Sequence, residues 1–402
     1  MPSAYEAYCR SYQSIMRLAV QFLDWTEPTV LNGKGAIADL ADLIQKKGYK
    51  KILFVTDEGL QKLHLPDTLL ELLKERNIEV FVYDKVKPNP SIASIEEART
   101  MYADNGCEAI IAMGGGSVMD CAKAAGARIA CPNKSVAQMR GELKVGRKIP
   151  MLFAIPTTAG TGSETTIAAV VSNPETHEKF SINDPHLRPK YAVLDPELTV
   201  GLPGKITSTT GMDALTHAVE AYIGQSNTKD TERAAKDAVR LIFSNLETAY
   251  NEPQNLQARS NMLLASYYAG LAFTRAYVGY CHAIAHALGG MYGVPHGLAN
   301  AVILPVMLDW FKESAWHRLA ELADAAGMRD CGISDEEKAR AFIEEIRRMN
   351  RNMQIPSTIK EIQDEDMDLI AERAMHEGNP LYPVPKIMNK EECKDVLKIL
   401  KG

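Results

Sequence analysis

The feature that most constrains this chain is a change of pattern near residue 200. From about residue 30 to 200, short β-rich runs (KKILFVTD, IEVFVYD, EAIIAMGGG and PMLFAIP) alternate with helical stretches such as LPDTLLELLKERN and SIASIEEARTMYADNG. Strands separated by helices pair in parallel rather than as hairpins, so this half predicts a parallel sheet wrapped by helices. One segment breaks the alternation: IAAVVSNPETHEKFSIND places two alternating runs around a turn-rich Asn-Pro-Glu-Thr core and predicts a β-hairpin. After DPELTVGLPGK the strand signal stops. Segments such as TERAAKDAVRLIFSNLETAY and DEEKARAFIEEIRRMN then carry helical periodicity toward Gly402. The expected class is α/β plus all-α, with an α/β domain at 28–203 and an all-helical domain at 204–402. A chain of 402 residues that is 46% apolar is long enough to bury a core in each.

Residues 1–27 form a separate expectation. Tyr5, Tyr8, Tyr12, Ile15, Ala19 and Phe22 recur at three- and four-residue intervals, which places them on one face of an amphipathic helical extension. Such a face docks on its own domain or on a neighbouring subunit. A membrane surface is the alternative, but Arg10 and Arg17 are few basic residues for that role.

Charge narrows the partners. A net charge of −6 and a pI near 5.9 leave little to neutralise a nucleic-acid backbone, so a small-molecule partner is expected. The seven cysteines are scattered without a CxxC spacing, which predicts reduced thiols and a cytoplasmic setting. No stretch approaches the ~20 apolar residues of a membrane span, and no signal-peptide pattern opens the chain.

Three features gather at the predicted C-terminal ends of strands, where open α/β sheets bind ligands. Gly114, Gly115, Gly116 and Ser117 join a strand to the helix VMDCAKAAGARIA. Glycines there let a phosphate approach the backbone, and the free amides of the helix N-terminus attract its charge; a tight connection without a ligand would also favour glycine. No G-x-G-x-x-G fingerprint is present. Asp57 ends KILFVTD, where a carboxylate accepts from ribose hydroxyls and repels a 2′-phosphate, favouring NAD over NADP; the alternative is a helix cap. PTTAGTGSETT, residues 156–166, crowds hydroxyls and glycines into one loop suited to ribose or phosphate.

The helical half holds a second kind of chemistry. GMDALTHAVEAY sets Asp213 and His217 four residues apart on one helical face, their Cβ atoms roughly 5–6 Å apart. GYCHAIAHALGGMYGVPHG sets His282 and His286 four apart and adds His296 after a turn. A carboxylate and imidazoles on an apolar face are costly without a shared partner. A divalent Fe or Zn ion suits three imidazoles and a carboxylate without thiolate. Spacing leaves five candidates for three or four ligand positions.

Taken in order, GGGSVMDCAKA, PTTAGTGSE, GMDALTHAVEAY and HAIAHALGGMYGVPHG resemble the iron-containing (group III) alcohol dehydrogenase family over residues 28–400. The resemblance implies an N-terminal dinucleotide-binding domain, a C-terminal helical metal-binding domain and an active site in the cleft between them. It implies Asp213, His217, His282 and His296 as metal ligands and His286 as the catalytic neighbour of substrate and nicotinamide. Gly115, Gly116 and Ser117 would cradle the pyrophosphate, with Asp120 behind them and Asp57 on the adenosine ribose. Asn89, Thr157, Thr158, Thr161 and Lys179 would line the rest of the cofactor cleft. Phe273 matches a position bordering the substrate. Arg275 stands where the family commonly has Asn, and Ala287 where Pro is frequent.

The implied reaction is hydride transfer between a primary alcohol or diol, or the matching aldehyde, and NAD, with the metal (Fe2+, or Zn2+) as Lewis acid on the oxygen. A homodimer or larger homo-oligomer is expected. Competing expectations are a zinc-dependent glycerol or polyol dehydrogenase, a lyase of the dehydroquinate-synthase type that shows no net NADH production, and a non-catalytic nucleotide or metal sensor.

Overall fold

The structure is a computed structural model that describes residues 3–173, 178–328 and 334–402. Contacts divide the chain into two units, one of Asp24–Gly201 and one of Met1–Leu23 together with Leu202–Gly402.

The first unit contains strands β1 (Thr29–Asn32), β2 (Lys51–Val55), β3 (Glu79–Tyr83), β4 (Ala109–Gly114), β5 (Gly141–Glu142), β6 (Met151–Pro156), β7 (Ala168–Asn173), β8 (Glu178–Asn183) and β9 (Tyr191–Leu194). Six of them form one sheet in the order β1-β9-β6-β4-β2-β3, every pair parallel. The helices beside it are separated in sequence from those of the second unit. They are α2 (Ala36–Lys47), α3 (Glu58–Lys62), α4 (Asp67–Glu75), α5 (Ile92–Asp104) and α6 (Gly116–Ala130), and α1 (Ala4–Ala19) precedes them in the chain.

The central strands are buried on both faces, which is why they read as unbroken apolar runs. Alternate residues serve opposite cores. Leu53, Val55, Ile110 and Ala112 pack with Ile95 of α5 and Ala122 and Ala125 of α6. Ile52, Phe54 and Ile111 pack with Leu40 and Ile44 of α2 and Leu69 and Leu73 of α4. The expected hairpin is β7 paired antiparallel with β8, Val170 opposite Ser181; its turn lies outside the described residues. Consequently β2, β4 and β6, the strands that precede Asp57, the glycine turn and the threonine loop, are adjacent in the sheet.

The second unit is helical: α1, then α7 (Gly204–Ile223), α8 (Lys229–Asn251), α9 (Leu256–Ala276), α10 (Tyr280–Tyr292), α11 (His296–Phe311), α12 (Trp316–Ala325), α13 (Asp335–Asn352), α14 (Met367–Gly378) and α15 (Lys390–Lys401). Helix α7 is buried from Met212 to Ile223, and it packs against α8, α9 and α11. The approach of α11 is backbone to backbone. A Cβ on Gly297 would lie 2.5 Å from the Thr209 carbonyl oxygen, so only glycine lets the start of α11 reach α7.

Helix α1 does not bury its apolar stripe against its own unit. Cys9 and Gln13 face inward, while Tyr5, Tyr8, Ile15 and Phe22 of the apolar stripe are exposed, Phe22 at 90%. Polar anchors hold it: Arg10 donates through Nη1 and Nη2 to the carbonyls of Val384 and Pro385 at 2.7 and 2.9 Å, and Gln13 Nε2 donates to Tyr382 O at 2.7 Å. These bonds fix the helix with its apolar stripe outward on the single chain.

Among the described residues no helix is long and apolar enough to cross a membrane. Six cysteines (Cys9, Cys107, Cys121, Cys131, Cys281 and Cys393) are free and buried. Cys331 lies outside the described residues.

Candidate metal centre and cofactor loops

Helix α7 places Asp213, His217 and Glu220 on one face at intervals of four and three residues, each at most 4% exposed. Helix α10 brings His282 to the same point. The first residue of α11, His296, arrives through the Gly297 contact. The donor atoms of Asp213, His217, His282 and His296 all lie within 4.8 Å of one another. Asp213 Oδ1 is 3.4 Å from His296 Nε2 and 3.9 Å from His282 Nε2. Two donors held at ~2.1 Å from one tetrahedral ion sit about 3.4 Å apart, so these separations match a shared ion.

The electrostatics agree with that fit. His282 Nε2 is buried and has no hydrogen-bond partner, an expensive state for a ring nitrogen unless an ion takes its lone pair. Desolvation lowers the His296 pKa to about 3, against the pull of Asp213, so the ring is neutral and able to coordinate. Burial raises the Asp213 pKa, but His296, His217 and His282 together hold the carboxyl below its usual range, and it stays ionised.

Three groups around these side chains had no part in the sequence reading. The Glu220 carboxylate accepts from His282 Nδ1 at 2.5 Å and from the backbone amides of Gly279 and Cys281 at 2.9 and 2.7 Å. Burial raises its pKa, yet these bonds keep it below the ordinary glutamate value. Asn300, fully buried, donates through Nδ2 to Asp213 Oδ1 at 2.7 Å. Glu377 Oε1 pairs with His286 Nδ1 at 2.7 Å and accepts from the Tyr382 hydroxyl at 2.8 Å. Glu220 was visible in principle, seven residues after Asp213 on the same helical face. Asn300, four residues after His296, was visible in the same way. The Glu377 contact spans 91 residues and leaves no local signal.

His286 is not among the four clustered donors. Its ring stacks on His296, centroids 5.1 Å apart and planes 16° apart. Phe273 stacks on His217 at 4.1 Å and 13°, buttressing that ring, and Arg275 lies two residues further on in the last turn of α9.

In the α/β unit, Gly115 caps α6, and its neighbours are glycines for reasons of packing. A Cβ on Gly114 would lie 2.6 Å from Val118 Cγ2, and one on Gly116 2.9 Å from Thr161 Cγ2. The glycine turn therefore lies directly against the threonine loop, with Thr158 beside Gly115. The amides of Gly116 and Ser117, which open α6, have no intrahelical acceptor. The Ser117 hydroxyl accepts from the backbone amide of Asn89, a residue in the left-handed region at φ 58°. Ser172, bonded to the Pro90 carbonyl, sits opposite Lys179 in the β7–β8 ladder, so Asn89 and Lys179 converge on the same edge. Desolvation lowers the Lys179 pKa.

The loop is clamped from behind by α6. Lys123 Nζ donates to Ser163 Oγ, Thr166 Oγ1 and the Ala168 carbonyl at 2.9, 2.8 and 2.9 Å. Asp120 accepts from Ser163 Oγ at 2.9 Å and Val170 N at 3.0 Å. Asp120 is thus engaged with the loop and strand β7. Thr157 is buried after β6, its amide bonded to the Gly114 carbonyl. Asp57 caps α3, its Oδ1 accepting from Leu60 N at 3.0 Å, which leaves the second carboxylate oxygen for another donor.

Comparison with known proteins identifies the family. Residues 28–196 match the family model described as iron-containing alcohol dehydrogenase, and residues 207–401 match that of the Fe-containing alcohol dehydrogenase family, C-terminal. The chain is 37% identical over 375 residues to alcohol dehydrogenase 4 of Saccharomyces cerevisiae, covering 92% of this chain and 96% of that one. It is 34% identical over 373 residues to the NAD-dependent methanol dehydrogenase of Bacillus methanolicus, covering 92% and 97%. A solved 1,3-propanediol oxidoreductase superposes with a TM-score of 0.90 at 37% identity, covering 94% of this chain and 99% of that one.

Proposed function

Because the chain belongs to the iron-containing alcohol dehydrogenase family, we propose that Asp213, His217, His282 and His296 would hold its metal and that the loops after β2, β4 and β6 hold its nicotinamide cofactor. The protein is a metal-dependent oxidoreductase acting on small alcohols or aldehydes with NAD. The observation that carries the site is the convergence of three ring nitrogens and one carboxylate oxygen within 4.8 Å on buried helices.

Held by Asp213, His217, His282 and His296, the ion would supply Lewis acidity toward the substrate oxygen, and a nicotinamide held by the loops would supply the hydride chemistry. The chain supplies the rest. His286 gives its Nδ1 to the Glu377 carboxylate, an acceptor only, so that nitrogen carries the proton and Nε2 is left basic. In alcohol oxidation Nε2 takes the proton that the hydroxyl releases, and Glu377, steadied by Tyr382, stabilises the resulting imidazolium. The reverse transfer protonates the product of aldehyde reduction.

In the cofactor loops, the amides at the start of α6 would hold the pyrophosphate, with Gly115, Gly116 and Ser117 as the cradle. Asp57 would accept from the adenosine ribose and disfavour a 2′-phosphate, which favours NAD. Asn89, Thr157, Thr158, Thr161 and Lys179 line the remaining contacts, while Asp120 acts through Ser163. Phe273 and Arg275 border the substrate, a primary alcohol or diol. Fe2+ is the assigned metal, since the donor set accepts it and the family is iron-containing. Residence in the cytoplasm, a homodimer or larger assembly, and domain limits at 28–203 and 204–402 belong to the same proposal.

The test is NADH absorbance with Fe2+-loaded protein across short alcohols, diols and aldehydes, with NADPH in parallel. Turnover with NADH on several members supports the assignment. A blank panel from protein that has bound one equivalent of metal overturns it.

A further inference from the structure

We infer that Glu220 is a positioning residue for the metal centre, fixing the tautomer of His282 and registering α10 on α7. The inference rests on the metal site assigned above and deepens it.

Three donors surround this carboxylate: His282 Nδ1 at 2.5 Å, Gly279 N at 2.9 Å and Cys281 N at 2.7 Å. An ionised carboxylate only accepts, so His282 must carry its proton on Nδ1. The lone pair then resides on Nε2, the buried atom without a hydrogen-bond partner that lies 3.9 Å from Asp213 Oδ1. One helix thereby supplies two of the four donors and orients a third that stands on another helix. Carboxylate-oriented imidazoles of this kind are common around protein-bound metals, and loss of the partner typically weakens metal affinity.

Glu220 also accepts from the first turn of α10, the helix that carries both His282 and His286. That contact explains a residue which otherwise has no evident reason to be glycine. Gly279 has φ −136° and ψ −153°, extended backbone open to any residue, but a Cβ there would lie 2.7 Å from Glu220 Oε1. Gly279 is small so that the carboxylate can sit where it does.

Glu220→Gln is nearly isosteric and separates orientation from volume. Its amide offers one acceptor and one donor. With the oxygen toward His282 and Gly279, its NH2 faces the Cys281 amide, donor against donor. With the amide reversed, NH2 faces Nδ1 and drives the proton to Nε2, where it blocks coordination. Gly279→Ala reaches the same end with the carboxylate present but displaced.

The test measures Co2+ affinity of the full-length apoprotein by chelator competition, together with the His282 tautomer from a long-range 1H–15N spectrum, assigned by its loss in His282→Ala. Wild type is expected to bind one Co2+ and to show the Nδ1–H tautomer before metal is added. Glu220→Gln and Gly279→Ala are expected to bind Co2+ roughly 10- to 100-fold more weakly. The Nδ1–H signal of His282 is expected to be lost or mixed in Glu220→Gln. Val239→Ala, a buried change on α8, controls for stability and should lower the melting temperature without moving Co2+ affinity. A wild-type Nε2–H tautomer, or unchanged Co2+ affinity in a folded Glu220→Gln or Gly279→Ala, overturns the inference. Failure of wild type to bind any Co2+ instead overturns the metal site itself. If Glu220→Gln does not fold, Gly279→Ala and the wild-type tautomer decide the matter.

Discussion

Asn300 Nδ2 donates to Asp213 Oδ1 over 2.7 Å from a side chain with no exposed surface. It holds one carboxylate oxygen in a fixed direction at the corner of the cluster. Asn300→Ala should leave the protein folded and reduce metal affinity by roughly 10- to 100-fold, the usual cost of removing a partner of a ligand. Equilibrium dialysis against Fe2+ under anaerobic conditions checks it; an unchanged dissociation constant would show that Asp213 needs no such support.

His282→Ala removes a donor outright. Metal retention and activity should fall together, and a variant that kept both would reverse the ligand assignment. The measurement is metal content per chain after gel filtration, paired with NADH turnover.

His286 behaves differently because it lies outside the four donors. His286→Ala should retain one metal per chain while kcat falls by about 10²–10⁴-fold, the range of a lost general acid–base group. Glu377→Gln should fall in the same direction by less, since the imidazole remains. Loss of metal from His286→Ala would instead place that ring among the ligands.

In the proposed cofactor site, Asp57 would set the choice of cofactor by charge. Two like charges about 4 Å apart at an effective dielectric of 20 repel by ~4 kcal/mol, so removing even a third of that changes a preference about tenfold. Asp57→Ala should therefore raise the NADPH-to-NADH ratio of kcat/KM by tenfold or more. It should also cost about 1 kcal/mol through loss of the α3 cap, read as a small drop in melting temperature.

Glu164 makes stability depend on pH. The side chain is 1% exposed with Oε1 lacking a hydrogen-bond partner, and desolvation raises its pKa from 4.5 to about 7. Between those values the folded state binds the proton and the unfolded state does not. Its contribution is full below pH 4.5 and is lost as pH rises through about 7. The span corresponds to up to about 3 kcal/mol. Glu164→Gln should flatten that part of the melting-temperature profile, and an identical slope in the variant would reject the assignment.

The parts legible in the sequence were those whose cause is local. Ile52 to Val55 are buried on both faces of the sheet, and their unbroken apolar run announces a central parallel strand. Strands β1 and β9, four residues each, are too short for their pattern to stand out. Asp213 and His217 share a helical face, so spacing alone paired them. Bringing them to His282 and His296 depends on how α7, α10 and α11 pack, which spacing does not encode. The glycine that allows it, Gly297, is informative only once Thr209 is opposite. The stripe on α1 shows the limit of periodicity. It states which residues share a face, and Arg10 and Gln13 decided which face was buried.

Those two anchors tie the order of synthesis to the order of assembly. Arg10 leaves the ribosome 374 and 375 residues before the carbonyls of Val384 and Pro385 that receive its guanidinium. The α/β unit is continuous in sequence from Asp24 to Gly201 and has its own cores, so it can fold while the remainder is still being translated. Helix α1 must wait through all of that with Cys9, Arg10 and Gln13 short of their partners. A helix made before the α/β unit thus finds its place only after that unit has been made.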